Sequence, residues 1–145
     1  MRLVVQRVTK ANVEVDGRVV GEIGKGYLVL VGVSVKDTVE EANFLAEKLF
    51  KLRIMADEDG KMNLSITDAK GEVLIVSQFT LYADTSGGNR PSFIHAAKED
   101  EALDIYNHFV EEIKKKGVSI KTGIFGAYME INSVLDGPVT IILES

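Results

Sequence analysis

The sequence predicts an α+β fold, in which two amphipathic helices pack on a curved, mainly antiparallel β-sheet or barrel. Three observations carry that expectation. Several short runs alternate apolar with polar residues and are joined by hairpin turns; two longer windows repeat their apolar residues at helical spacing; and glycines fall where a closing sheet must bend. Hairpin-linked strands favour antiparallel pairing, and a helix with one apolar stripe needs a sheet to bury it against.

Taken in order, "RLVVQRV" and "ANVEV" alternate like half-buried strands, and Asp16-Gly17 turns the chain into "RVVGEI" as a hairpin. "YLVLVGV", Tyr27 to Val33, is continuous enough to be a buried central strand. In "DTVEEANFLAEKLFKL", Thr38 and Glu41 form a capping box, and Ala42, Leu45, Ala46, Leu49 and Phe50 share one helical face. "RIM" reads as a short strand, "DEDG" as a turn, and "EVLIVSQFTLYAD" as a second buried strand running into a loop. A second helix is expected from Glu99 to Lys116. Its stripe is Leu103, Tyr106, Phe109, Val110 and Ile113, its last turn holds Lys114, Lys115 and Lys116, and Gly117 caps it. "VSIKT", "YMEINSV" and "PVTIILE" close the chain as strands, with Gly24, Gly26, Gly32, Gly123 and Gly126 at the bends.

No linker, repeat or low-complexity segment interrupts residues 1–145, so one domain is expected. Hydrophobic residues make up 46% and charged ones 27%, the balance of a globular chain. The absence of cysteine excludes disulfides, thiolate metal sites and a thiol nucleophile. The first ten residues lack a secretory apolar core, and the longest apolar run is too short to span a bilayer, so a cytoplasmic protein with no membrane partner is expected. A formal charge of −5 argues against broad, non-specific binding to nucleic acid, although a local basic patch can act where the total does not.

The familiar catalytic constellations are missing. His108 falls within the second helix as a surface or half-buried residue, and His95 lies in a loop with no nucleophile beside it in sequence, so a Ser-His-Asp reading is forced. "DEDG" fails the calcium-loop spacing, since its fifth position is Lys61 and its twelfth Asp68. "GEIGKG" has the wrong order for a dinucleotide loop and is explained by hairpin glycines. Lys114 to Lys116 suit a helix C-terminus, and phosphate contact, with Lys121 as helper, is the other reading. No metal site and no cofactor are expected.

Two stretches resist a purely structural account. "SQFT", Ser77 to Thr80, ends a buried strand in polar groups that are costly to bury unless bonded. These groups either satisfy the following loop or form the floor of a ligand pocket. The second is "DGPVT", Asp136 to Thr140. It holds one of only two prolines, Pro138, within a strand-like C-terminus, where Asp-Gly-Pro is otherwise ordinary turn chemistry.

At these residues the chain resembles the D-aminoacyl-tRNA deacylase family, also called D-tyrosyl-tRNA deacylases. The resemblance spans nearly the whole sequence, from "LVVQRV" and "G-x-I-G-x-G-x-L-V-L-V-G-V" through "GKMNLS", "SQFTL-x-AD", "RPSF" and "TG-x-F-x-A-x-M" to "DGPVT". Each motif is weak alone; their order and spacing make the match specific. Leu135 stands where the family often has Asn, and "TSGGN" is individual.

The resemblance implies a homodimer that hydrolyses the ester between a D-amino acid and tRNA, with glycyl-tRNA as a leaky case. It implies that Gly137-Pro138 is a cis dipeptide inserted into the partner's active site, where it rejects L-aminoacyl esters sterically. Little side-chain acid–base chemistry is then expected. The terminal ribose 2′-hydroxyl assists, backbone N–H groups at Phe79 and Thr80 stabilise the oxyanion, and Gln78 holds the ester beside Ser77. Thr80 as a covalent nucleophile is the competing mechanism. Arg90, Pro91, Ser92 and Phe93 are expected to border the terminal adenosine, with Ala127 and Met129 lining the pocket; for Phe93 and Met129 plain packing is the other reading. Arg7 is expected either to anchor the Gly-Pro segment through Asp136 or to make an ordinary surface salt bridge. A non-catalytic nucleic-acid-binding protein of the same fold, and a small-metabolite-binding dimer, are the alternative functions.

Overall fold

The computed structural model describes residues 1–145. In chain order they form strands β1 (Arg2–Val15), β2 (Arg18–Ile23) and β3 (Gly26–Gly32), then helix α1 (Val39–Lys51) and strands β4 (Met55–Ala56), β5 (Met62–Leu64) and β6 (Glu72–Ser77). A 3-10 turn (Phe79–Tyr82), helix α2 (Glu99–Lys114) and strands β7 (Ser119–Thr122) and β8 (Glu130–Glu144) complete the chain.

β1 is the spine of the sheet. It pairs antiparallel with β3 through its first half, with β2 through its second, and with β8 along nearly its whole length. β3 then pairs parallel with β6, and β6 parallel with β7. The expected sheet is therefore mainly antiparallel but mixed, because α1 and α2 are the crossovers that return the chain in the same direction. β4 and β5 form a separate small hairpin.

The sheet is buried on both faces, which explains the unbroken apolar runs of β3 and β6. Tyr27, Val29, Val73 and Ile75 join Leu45, Leu49, Phe109 and Ile113 in the core beneath the helices. The alternate residues Leu28, Leu74 and Val76 point the other way and meet Val8, Val13 and Ile23 inside the curl of the sheet. β2 comes down over β7 to make the barrel nearly complete, and Gly21 allows that approach: a Cβ there would lie 2.9 Å from the Thr122 carbonyl oxygen.

Both helices begin as their sequences dictate. Thr38 and Glu41 form the capping box, with the Thr38 N–H donating to Glu41 Oε2 at 2.7 Å. α2 opens on Glu99, Asp100 and Glu101 and ends at Lys114, two residues short of the expected Lys116; the chain then turns at Gly117, φ +78, whose N–H reaches the Lys114 carbonyl at 2.9 Å. The lysines at that end are occupied by carboxylates. Lys114 bonds Glu111 at 2.6 Å, Lys115 bonds Glu112 at 2.5 Å, and Lys116 reaches across to Glu47 on α1. No helix is long and apolar enough to cross a membrane.

Two expectations are corrected in detail. "RLVVQRV" and "ANVEV" are one strand of 14 residues, and "YMEINSV" continues into "PVTIILE" as one strand of 15. "FTLY" is not strand but the 3-10 turn, which begins where β6 leaves the sheet.

Candidate active site

β6 delivers Ser77 and Gln78 to the end of the sheet, where the Gln78 N–H extends the parallel ladder by donating to the Val31 carbonyl at 2.7 Å. The chain then tightens into the 3-10 turn. Gln78 is its N-cap residue with no side-chain cap, so the N–H groups of Phe79 and Thr80, the first of that turn, have no acceptor within it. Arg2 fixes the far side of the turn by donating to the Leu81 carbonyl at 2.5 Å and lying 5.1 Å over the Tyr82 ring.

Beside this turn lies a cavity of about 450 Å³. Ser77, Gln78 and Phe79 form one wall, and Ala127, Tyr128 and Met129 on the approach to β8 form another. Ala97, Ala102 and Tyr106 from α2 and its approach close the back, with Phe125 alongside. The lining is mostly apolar, and Glu99 is its one formally charged residue. Tyr106 is not available as a base. Its hydroxyl donates to the Ile75 carbonyl at 3.1 Å, and burial pushes its phenol well above the ordinary range.

Of the residues expected at the site, Ser77, Gln78, Phe79, Ala127 and Met129 line this cavity. Thr80 sits just outside it, and its Oγ1 accepts a hydrogen bond from Gln78 Nε2 at 2.5 Å. Neither a histidine nor a carboxylate bonds the Thr80 hydroxyl. Phe93 meets Phe79 edge-on, with ring centroids 5.0 Å apart, so it buttresses the wall rather than forming it. Ser92 exchanges backbone hydrogen bonds with Asp84, both at 2.8 Å, and so closes the loop that carries Arg90 and Pro91, which are exposed. His95 lies 3.9 Å from Asp84 with no hydroxyl partner. Glu99, Tyr106, Phe125 and Tyr128 were not anticipated here. Glu99 and Tyr106 read in sequence as a helix start and a core stripe, roles they also fill.

Gly137 and Pro138 do not line the cavity of their own chain. On β8, Thr140 pairs with Gln6 and Leu135 with Val8, so Asp136, Gly137, Pro138 and Val139 stand opposite Arg7 alone and protrude from the ladder. The Gly137-Pro138 bond is cis. Leu135, where the protrusion starts, is about 13 Å along the strand from Ile131 at the rim of the cavity. Arg7 holds the protrusion from beneath. It is only 8% exposed, its Nε lies 3.0 Å from Asp136 Oδ2, and its Nη1 donates to the Ile54 carbonyl at 2.8 Å. Gly137 has φ +123, and a Cβ there would sit 2.8 Å from Val139 Cγ2 and 3.2 Å from Arg7 Nη2. A side chain at 137 would therefore disturb both the protrusion and its anchor.

A curved mixed sheet carrying two helices, with a polar strand end opening onto a mostly apolar cavity of about 450 Å³, defines a small α+β protein with a pocket of ligand size. A family model described as D-Tyr-tRNA(Tyr) deacylase matches residues 4–144, and the chain belongs to that family. It is 56% identical over 145 residues to a D-aminoacyl-tRNA deacylase of Bacillus licheniformis, covering all of this chain and 99% of the relative. It is 55% identical to one from a Geobacillus species, covering all of this chain and 95% of that protein. A solved structure described as c-Myc DNA Unwinding Element Binding Protein superposes with a TM-score of 0.94 at 44% identity, over 100% of this chain and 99% of the other. A second, described as a probable eukaryotic D-amino acid tRNA deacylase, has a TM-score of 0.83 at 18% identity over 98% and 97% of the two chains, a likeness of fold.

Proposed function

We propose that residues 1–145 act as one domain of a cytoplasmic homodimer that removes D-amino acids, and glycine as a leaky case, from the 3′ end of tRNA. The ester carbonyl enters the cavity at the Ser77–Phe79 wall. Water adds to the carbonyl carbon, the bond to the ribose 3′-oxygen breaks, and that oxygen takes up the proton, leaving free amino acid and tRNA. The terminal 2′-hydroxyl of the tRNA assists the proton transfer. The N–H groups of Phe79 and Thr80 receive the developing oxyanion, and Gln78 steadies the ester.

Stereochemistry is read by the other subunit. The protrusion of one chain enters the cavity of its partner, and the Gly137 and Pro138 carbonyls accept hydrogen bonds from the substrate's α-ammonium. With ammonium and ester both fixed, an L side chain strikes the protrusion and a D side chain points away from it. Arg90, Pro91 and Ser92 border the terminal adenosine. The observation that carries this reading is the separation on one chain of an open cavity at Ser77–Phe79 from the Arg7-anchored protrusion.

Hydrolysis of matched D- and L-tyrosyl-tRNA tests the activity: the D-ester is cleaved and the L-ester is spared. Equal rates on both overturn the reading. Mixing two inactive variants tests the exchange between subunits. Ala127→Trp fills the cavity and Gly137→Val spoils the protrusion; re-equilibrated together they recover about a quarter of wild-type activity, since half the dimers are mixed and each has one complete site. No recovery means that each chain serves its own cavity.

The alternative is a non-catalytic nucleic-acid binder of the same fold; the 44% identical structure is described as a DNA-element-binding protein, which does not make that reading the better one. The −5 charge and the carboxylate-paired lysines of α2 weigh against it. The same assay separates the two.

A further inference from the structure

Tyr128 is the most exposed large hydrophobic side chain in the molecule, at 87%, yet it belongs to the cavity wall. A turn raises it there: the Ala127 N–H bonds the Ile124 carbonyl at 3.2 Å, and Gly126 adopts φ +74. The Tyr128 hydroxyl bonds no protein group, and Ile124, 47% exposed, is on the same turn. An aromatic face at the mouth of a cavity offers a ligand a large, rigid contact area with few rotamers to freeze. Tyr128 occupies the last of the three open positions in the "TG-x-F-x-A-x-M" pattern, between Ala127 and Met129.

The second observation concerns charge. A protein that holds tRNA ordinarily does so through phosphates, but here the obvious lysine run is spent on Glu111, Glu112 and Glu47, and the chain is acidic overall. Arg90, Lys98 and Lys121 make no ion pair, but they are few, and an unpaired strand gains from a second source of affinity. Aromatic stacking is the sequence-tolerant and weakly salt-dependent source, because every base has a π-face. We propose that Tyr128 is a stacking platform for the unpaired nucleobase that precedes the terminal adenosine of the substrate. This rests on the tRNA-end reading above. It adds a binding residue outside the chemistry, which extends the site from one nucleotide to two.

The test uses the full-length protein and an uncharged acceptor-stem minihelix with its 3′ single strand, with binding followed by fluorescence anisotropy. A second minihelix carries an abasic sugar at the penultimate position, keeping the phosphate. Tyr128→Ala and the abasic substitution are each expected to weaken binding about 5- to 150-fold, and together to weaken it no further than either alone. Tyr128→Phe retains wild-type affinity, because it retains the face and loses only a hydroxyl that bonds nothing. Independent, multiplicative losses, an effect below twofold, or no binding by the wild type overturn the proposal. So does burial of Tyr128 by a second copy of the chain without any effect of the abasic site. Hydrolysis is not measured here, so a protein that stacks the base but spares D-tyrosyl-tRNA sinks the deacylase reading and leaves this one standing.

Discussion

Thr80 shows how a hydroxyl in a site is judged by its partner. A nucleophilic Thr must lose its proton to a base, but here its oxygen takes a hydrogen bond from the Gln78 amide, which is a donor. The positional role proposed for it predicts that Thr80→Ala lowers kcat on D-tyrosyl-tRNA only about two- to tenfold, the worth of one neutral hydrogen bond. A loss of several decades with KM unchanged would restore the covalent route. Arg7 is the contrasting case. It was legible in sequence as a partner for Asp136, and the structure adds the Ile54 carbonyl and near-complete burial. Arg7→Lys keeps the charge but cannot span both partners. It is expected to cost about 2 kcal/mol in urea unfolding, less than a fully buried pair because Asp136 is partly exposed, and to slow deacylation as the protrusion loosens. Unchanged kinetics alongside lost stability would make Arg7 a purely structural residue.

At the scale of elements, the helices were nearly complete in the sequence because their signals are local. The Thr38 cap is worth about 1 kcal/mol, which Thr38→Ala should remove in urea unfolding at pH 7. The link between α1 and α2 titrates. Glu47 is held down to about 2, first by its hydrogen bond from Lys116 and then by Lys51, against an ordinary 4.5. A carboxyl lowered on folding contributes its stability above the unfolded value and loses it as pH falls toward the folded one. Wild type should therefore exceed Glu47→Gln in stability at pH 7, with the gap shrinking between about pH 4.5 and pH 2 and also with added salt. A gap constant with pH would show that the ion pair is not its source. The strands were less legible. β3 and β6 read as buried runs, but a continuous apolar run does not say whether its neighbour is parallel. Nor does an alternating pattern show that β8 continues on both sides of Pro138, because that depends on β1 and its Arg7, about 130 residues distant in sequence.

Across the whole molecule, the cavity was half visible. Ser77 to Phe79 stood out because polar residues closing a buried strand need an explanation. Glu99, Tyr106 and Phe125 did not, since residues spread over α2 and the following loop meet only after the sheet has curled. The homodimer proposal draws on the same distribution. β8 pairs with β1 alone, so its outer edge is open along a strand of 15 residues, with Val134, Leu135 and Ile142 exposed on it.

On the proposed reading, a chain that carries both halves of a discriminating site, but holds them apart, is idle when alone. If the protrusion serves a neighbour, turnover per chain should collapse on dilution below the dissociation constant of the dimer and return on concentration, while the melting curve of each chain's own core changes far less. Proofreading strength in such a protein is set by how much of it the cell makes.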